Sequence, residues 1–82
     1  MKVFCCQHDI VWERRDPNHA RVRELLTAAG IPSGSLALLP EMFACGFSLD
    51  VRAIAEGEGR ASEHFLSGLA RELGIFLMAG IV

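Results

Sequence analysis

The feature that most constrains this chain is the stretch at residues 36–43, Leu-Ala-Leu-Leu-Pro-Glu-Met-Phe. Four consecutive apolar residues leave no solvent face, so residues 36–39 are expected to form a short strand buried on both sides. Pro40 lacks the N–H that a sheet ladder needs, and the strand stops there. Glu41 is thereby delivered to the carboxyl edge of a strand, where open α/β sheets bind ligands. From spacing alone two readings stand. A solvated loop glutamate is the commoner one, because Glu is mostly exposed. The other is a general base. A carboxylate flanked by Pro40, Met42 and Phe43 is poorly solvated, which lifts its pKa toward neutrality, where proton transfer is efficient.

The rest of the chain alternates strands with helices. Residues 3–7 read as a first strand. A polar connection over residues 9–15 carries Ile10, Val11 and Trp12. Asp16 and Pro17 are expected to open a helix as N-cap and first helical residue. Val22, Leu25, Leu26 and Ala29 recur at helical spacing on one face, with Arg21, Arg23 and Glu24 opposite. Gly30 and Pro32 close that helix, and residues 33–35 turn into the strand at 36–39. Asp50 is placed to cap a short helical turn through Ile54, and residues 56–59 (Glu-Gly-Glu-Gly) read as a flexible polar link. Ser62 is the expected cap of a second long helix, with Glu63 in its first turn. The apolar stripe of that helix is Phe65, Leu66, Leu69, Ala70 and Leu73, and Gly74 ends it. Residues 75–82 read as a third strand. The order β-α-β-α-β predicts an α/β layered fold with adjacent, largely parallel strands.

Composition narrows the function classes. At 82 residues, 51% hydrophobic and 22% charged, the chain has globular composition and length for one small domain. A net charge of −2 leaves no basic footprint, which sets nucleic acid and anionic membranes aside as partners. No apolar run approaches the ~20 residues that span a bilayer, the opening residues are too short for a signal peptide, and the cytoplasm is expected. Cys5, Cys6 and Cys45 are an odd count without CxxC spacing, which fits neither a disulfide framework nor a zinc site. Reduced, mostly buried thiols are expected, with no metal and no cofactor. The chain stops inside an apolar run, from which it is expected to be the N-terminal portion of a longer domain.

The remaining candidates favour structural roles. Cys45 lies four residues beyond Glu41, but a neighbouring carboxylate raises a thiol's pKa, and no Lys or Arg lies within six residues. It reads as a small residue packed under a turn. His8 and Asp9 beside Cys5 and Cys6 match no ligand spacing. His19 and His64 are expected on solvated helix faces, and Trp12 as a packing residue. The pair Gly57 and Gly59 lacks the strand, helix and lysine of a phosphate loop.

The block Leu39-Pro40-Glu41-Met42-Phe43-x-x-Gly46-Phe47-Ser48 resembles the carbon–nitrogen hydrolase (nitrilase) superfamily, and most of all its omega-amidase-like branch. Gln7-x-Asp9-Ile10-x-Trp12, Asn18 and the ending Gly80-Ile81-Val82 extend the similarity over nearly all of residues 1–82. The resemblance implies an α-β-β-α sandwich, of which this chain is the incomplete β-α-β-α-β N-terminal portion. It also implies a Cys-Glu-Lys triad, with Glu41 at the position of the base and Phe43 beside the substrate pocket. The family's Lys and Cys lie downstream of Val82. Lys2 and Cys45 stand at neither position, so this chain alone is expected to be inactive.

Hydrolysis of small omega-amides, 2-oxo acid omega-amides above all, is the function so implied, in a full-length protein that is a homo-oligomer. The alternative is a non-catalytic α/β module that associates through an exposed apolar strand. A thiol redox protein using Cys5 and Cys6 ranks last, because adjacent cysteines make a strained bridge.

Overall fold

Parallel pairing organises the structure. In the computed structural model, which describes residues 2–82, three short strands lie side by side in the order β1 (Val3–Cys5), β2 (Leu36–Leu38), β3 (Phe76–Met78). Both pairings are parallel, with Val3 opposite Leu36 opposite Phe76, and Cys5 opposite Leu38 opposite Met78. Helix α1 (Arg15–Ala28) connects β1 to β2. A short helix α2 (Val51–Ile54), a 3₁₀ turn (Gly57–Gly59) and helix α3 (Ala61–Leu73) connect β2 to β3. The expected element order and strand adjacency are both present. The strands are shorter than expected, three residues each. Single hydrogen bonds carry the pairing a step further: Cys6 N–H donates to the Leu38 carbonyl, and Leu39 N–H to the Met78 carbonyl, both at 2.8 Å.

Side chains alternate across a strand, and the two faces of the sheet differ. On one face Ala37 and Leu39 meet Val22 and Leu26 of α1 and Leu69 of α3, and Phe43, Ala44 and Ile75 complete this core. The other face bears Val3, Phe76 and Met78, each more than half exposed. Leu36 and Leu38, on this second face, are only half-buried, so the expectation that residues 36–39 are buried on both sides does not hold. Both long helices pack on the same side, and no described element lies over the opposite one.

Two helix starts differ from expectation. Helix α1 begins at Arg15 after Arg14, with no side-chain cap, so Asp16 and Pro17 lie within its first turn. Asp16 still favours the positive end of the dipole there, and Pro17 still gives up only an N–H that would go unpaired. Helix α3 begins at Ala61, after Arg60 in the left-handed conformation (φ 48°), and Ser62 is a buried residue within the helix. Elsewhere local chemistry acts as expected. The Asp50 side chain accepts from Ala53 N–H to cap α2, and Gly74 (φ 67°) ends α3.

Candidate active site at the carboxyl edge of the sheet

The carboxyl ends of β1, β2 and β3 open onto one rim, and the chain immediately beyond β2 carries Glu41. After Pro40 the backbone turns sharply. Met42 adopts φ 51°, a left-handed conformation that costs a non-glycine residue of order 1–3 kcal/mol and persists only when its surroundings hold it. The Met42 carbonyl accepts from Cys45 N–H at 3.1 Å and from Gly46 N–H at 2.9 Å, closing a tight turn.

That turn is pinned from several sides. His8, just beyond β1, places Nε2 3.2 Å from the Phe43 carbonyl. Asn18, wholly buried near the start of α1, donates its amide to the Ala44 carbonyl at 2.7 Å and to the Val11 carbonyl at 2.8 Å. Its Oδ1 accepts from Val11 N–H at 2.7 Å. Glu13 N–H donates to the Cys45 carbonyl at 2.8 Å, and the Glu13 carboxylate accepts from Ser48 Oγ at 2.7 Å. Trp12 packs against Gly46: a Cβ there would stand 3.0 Å from the indole ring, in addition to the strain of φ 80°. Glycine is required on both counts.

Glu41 itself is exposed, and the poor solvation expected of it is absent. Phe43 is packed in the core instead of flanking the carboxylate. Among the described residues Glu41 takes part in no ion pair; the acids that do are Glu24, Glu56, Glu63 and Glu72. Phe43, expected beside the substrate pocket, is wholly buried, its ring 5.8 Å from that of His19 and 6.4 Å from that of Phe65. Cys45 is buried under the turn as expected, its Sγ 3.3 Å from the Gly46 carbonyl. Burial first, then the charges of Glu56 and Glu13, push its thiol above the usual range, with Arg15 opposing them. A thiol held protonated is a poor nucleophile. Cys5 is exposed and Cys6 half-buried, so only Cys45 meets the expectation of burial in full. No three His, Cys, Asp or Glu among the described residues come together in a group that could hold a metal ion.

The largest departure from expectation lies behind this turn. Glu56, expected in a flexible link, is the centre of a polar cluster, with only 6% of its side chain exposed. Its carboxylate accepts from Ser62 N–H at 2.6 Å and from Ser62 Oγ–H, and Arg15 Nε lies 3.6 Å away. It does for the start of α3 what an N-cap side chain does elsewhere. Ser62 Oγ also meets His19 Nε2 at 2.7 Å. Because the single hydroxyl proton goes to Glu56, Nε2 must carry the proton it donates to Ser62. His19 is thus no solvated residue: its ring stacks on Phe65 at 4.2 Å, and burial pulls its pKa down, against the charges of Glu56 and Asp16 and with that of Arg15. One signal was available. Positions 18 and 19 lie four and three residues before Val22, so the apolar stripe of α1 extended back one turn puts Asn18 and His19 on the inward face. Nothing local marks Glu56.

No helix among the described residues is long and apolar enough to cross a membrane. The carbon-nitrogen hydrolase family model matches residues 2–82. A nitrilase of Pyrococcus abyssi (strain GE5 / Orsay) is 30% identical over 73 residues, an alignment covering 79% of this chain and 27% of the relative. The chain thus spans little more than a quarter of the length of the curated relative it matches. No solved structure matches.

Proposed function

The chain belongs to the carbon–nitrogen hydrolase family, and from that premise we propose that it is the N-terminal portion of a single-domain amidohydrolase, with Glu41 as the general base. The observation that carries this is the backbone around Glu41. A strained residue, Met42, is held in place by a turn tied to the chain beyond β1 and to α1, and Glu41 is presented outward at the carboxyl rim of the sheet. Strain kept in this way accompanies sites where placement matters.

In the complete enzyme a Cys and a Lys from later in the chain join Glu41. Glu41 takes the thiol proton as sulfur attacks the amide carbon, and the Lys stabilises the oxyanion that forms. The C–N bond breaks, the proton passes to the leaving nitrogen, and ammonia departs from a thioester. Glu41 then takes a proton from water. The hydroxide attacks the thioester, the thiolate leaves and recovers the proton, and one amide plus one water have become one carboxylic acid plus ammonia.

The substrates are small omega-amides, with 2-oxo acid omega-amides the leading class because of the LPEMF-x-x-GFS block. Phe43 serves the pocket from within, as the buried anchor of the base's turn. The bare face of Val3, Phe76 and Met78 meets a second sheet of the α-β-β-α sandwich, so the apolar strand needs no separate binding partner. Dependence on a thiolate suits a reducing compartment, and we assign the enzyme to the cytoplasm as a homo-oligomer.

Glu41→Gln in the complete enzyme tests the assignment. Turnover should fall by about 10³-fold or more with the circular dichroism unchanged, in keeping with the loss of an acid–base group. A variant that retains more than about a tenth of kcat would overturn it.

A further inference from the structure

Resting on the assignment of Glu41 as base, we infer that Gly80 is a positioning residue that sets where the Glu41 carboxylate stands. The register of β2 and β3 puts Leu38 opposite Met78, and the Leu39 N–H to Met78 carbonyl bond extends that pairing. Two residues on, Gly80 lies against the Glu41–Met42 step. A Cβ on Gly80 would stand 3.0 Å from Glu41 Cα, 3.1 Å from Met42 N and 3.5 Å from Glu41 Cβ. The first two are backbone atoms, which cannot rotate aside as a side chain can. Gly80 does not have a positive φ, so conformation does not call for glycine there; space does.

The turn after Glu41 has little freedom to absorb a push. Its later residues are tied through the Phe43, Ala44 and Cys45 carbonyls to His8, Asn18 and Glu13. Its first residue is seated instead by direct contact with Gly80. A methyl group at 80 therefore displaces Glu41 by several tenths of an ångström at Cα, and further at the tip of the side chain. A base works only with its oxygen within about 2.6–3.2 Å of the atom that carries the proton, and a misplacement of about 1 Å can cost on the order of 10²-fold in rate.

The experiment compares Gly80→Ala, Glu41→Gln and Gly68→Ala in the complete enzyme. An added Cβ at Gly68 meets nothing within 4 Å, so that variant should behave as the parent. Gly80→Ala should lower kcat by roughly 10- to 100-fold while KM stays within about threefold. The acid limb of its kcat–pH profile should move by about half a unit or more, because the base has changed surroundings. A smaller population of folded enzyme would not move that limb.

If Glu41→Gln is inactive but Gly80→Ala keeps kcat within about threefold of the parent, or loses only in KM, the positioning role is overturned and the base assignment stands. An active Glu41→Gln removes both. Where Gly80→Ala does not fold, Gly80→Ala with Met42→Gly carries the test, since glycine suits the positive φ at 42 and lets the turn yield. The same loss and the same shift are expected there, and a parent-like profile overturns the role.

Discussion

Asn18 bears more of the site's geometry than any other single side chain, and its replacement has a calculable cost. Its amide and carbonyl make three hydrogen bonds, two to Val11 and one to Ala44, from a wholly buried position. Val11 is itself exposed, so water can partly replace its two bonds, and each is worth about 1 kcal/mol. The bond to Ala44 is buried on both sides, and removing its donor strands a carbonyl at about 1–3 kcal/mol. Asn18→Leu keeps the volume and regains some apolar burial, so the net loss should be about 3 kcal/mol, a large share of the stability of any single domain.

Asn18→Asp should be worse at neutral pH. It keeps an acceptor for Val11 N–H but turns a carboxylate toward two carbonyl oxygens. That carboxyl's folded pKa would be raised above its unfolded value. The added penalty is then full above the folded pKa and disappears as pH falls below the unfolded one. Urea unfolding followed by circular dichroism reads both variants as a shifted midpoint at unchanged slope. A loss under about 1 kcal/mol for Asn18→Leu, or an Asn18→Asp variant no weaker than it at pH 7, would refute this account of the turn.

Two further outcomes follow from the cluster behind the turn. His19 has a folded pKa below its usual 6.5, so the unfolded state takes up the proton first. Its contribution to stability is present above about pH 6.5 and falls away as pH drops toward the lower folded value. His19→Phe, which keeps the stacking on Phe65, should flatten that dependence in urea midpoints taken between about pH 7 and 5; an unchanged slope would sink the assignment. Cys45, protonated and buried, should react with a disulfide reagent at least ~10-fold more slowly than the exposed Cys5, and only through opening of the structure. Equal rates in folded protein would contradict its placement under the turn.

Much of the fold was legible because its signals are local. The apolar run ending at Pro40 marks a strand and its stop, and the stripe from Phe65 to Leu73 marks α3 and its inward face. The uncovered face of β3 was not legible: a run of apolar residues looks the same whether one sheet face or two are covered. At the site, the position of Glu41 followed from Pro40, but its exposure did not, because that depends on Phe43 turning into a core built by α1 and α3. The role of Glu56 is hidden in the sequence for a related reason. Between Ala55 and Gly57 it looks like linker, and only the docking of α1 on α3 brings Arg15 and Ser62 to it.

The packing of Trp12 on Gly46 has an optical consequence. Trp12 is the single tryptophan of the chain, more than half open to solvent on one side and pressed on the other against the turn that follows Glu41. Its emission colour reports the polarity around that indole. Any event that lifts the turn from the ring, or closes solvent off from its outer face, changes the fluorescence of this stretch of chain without a label.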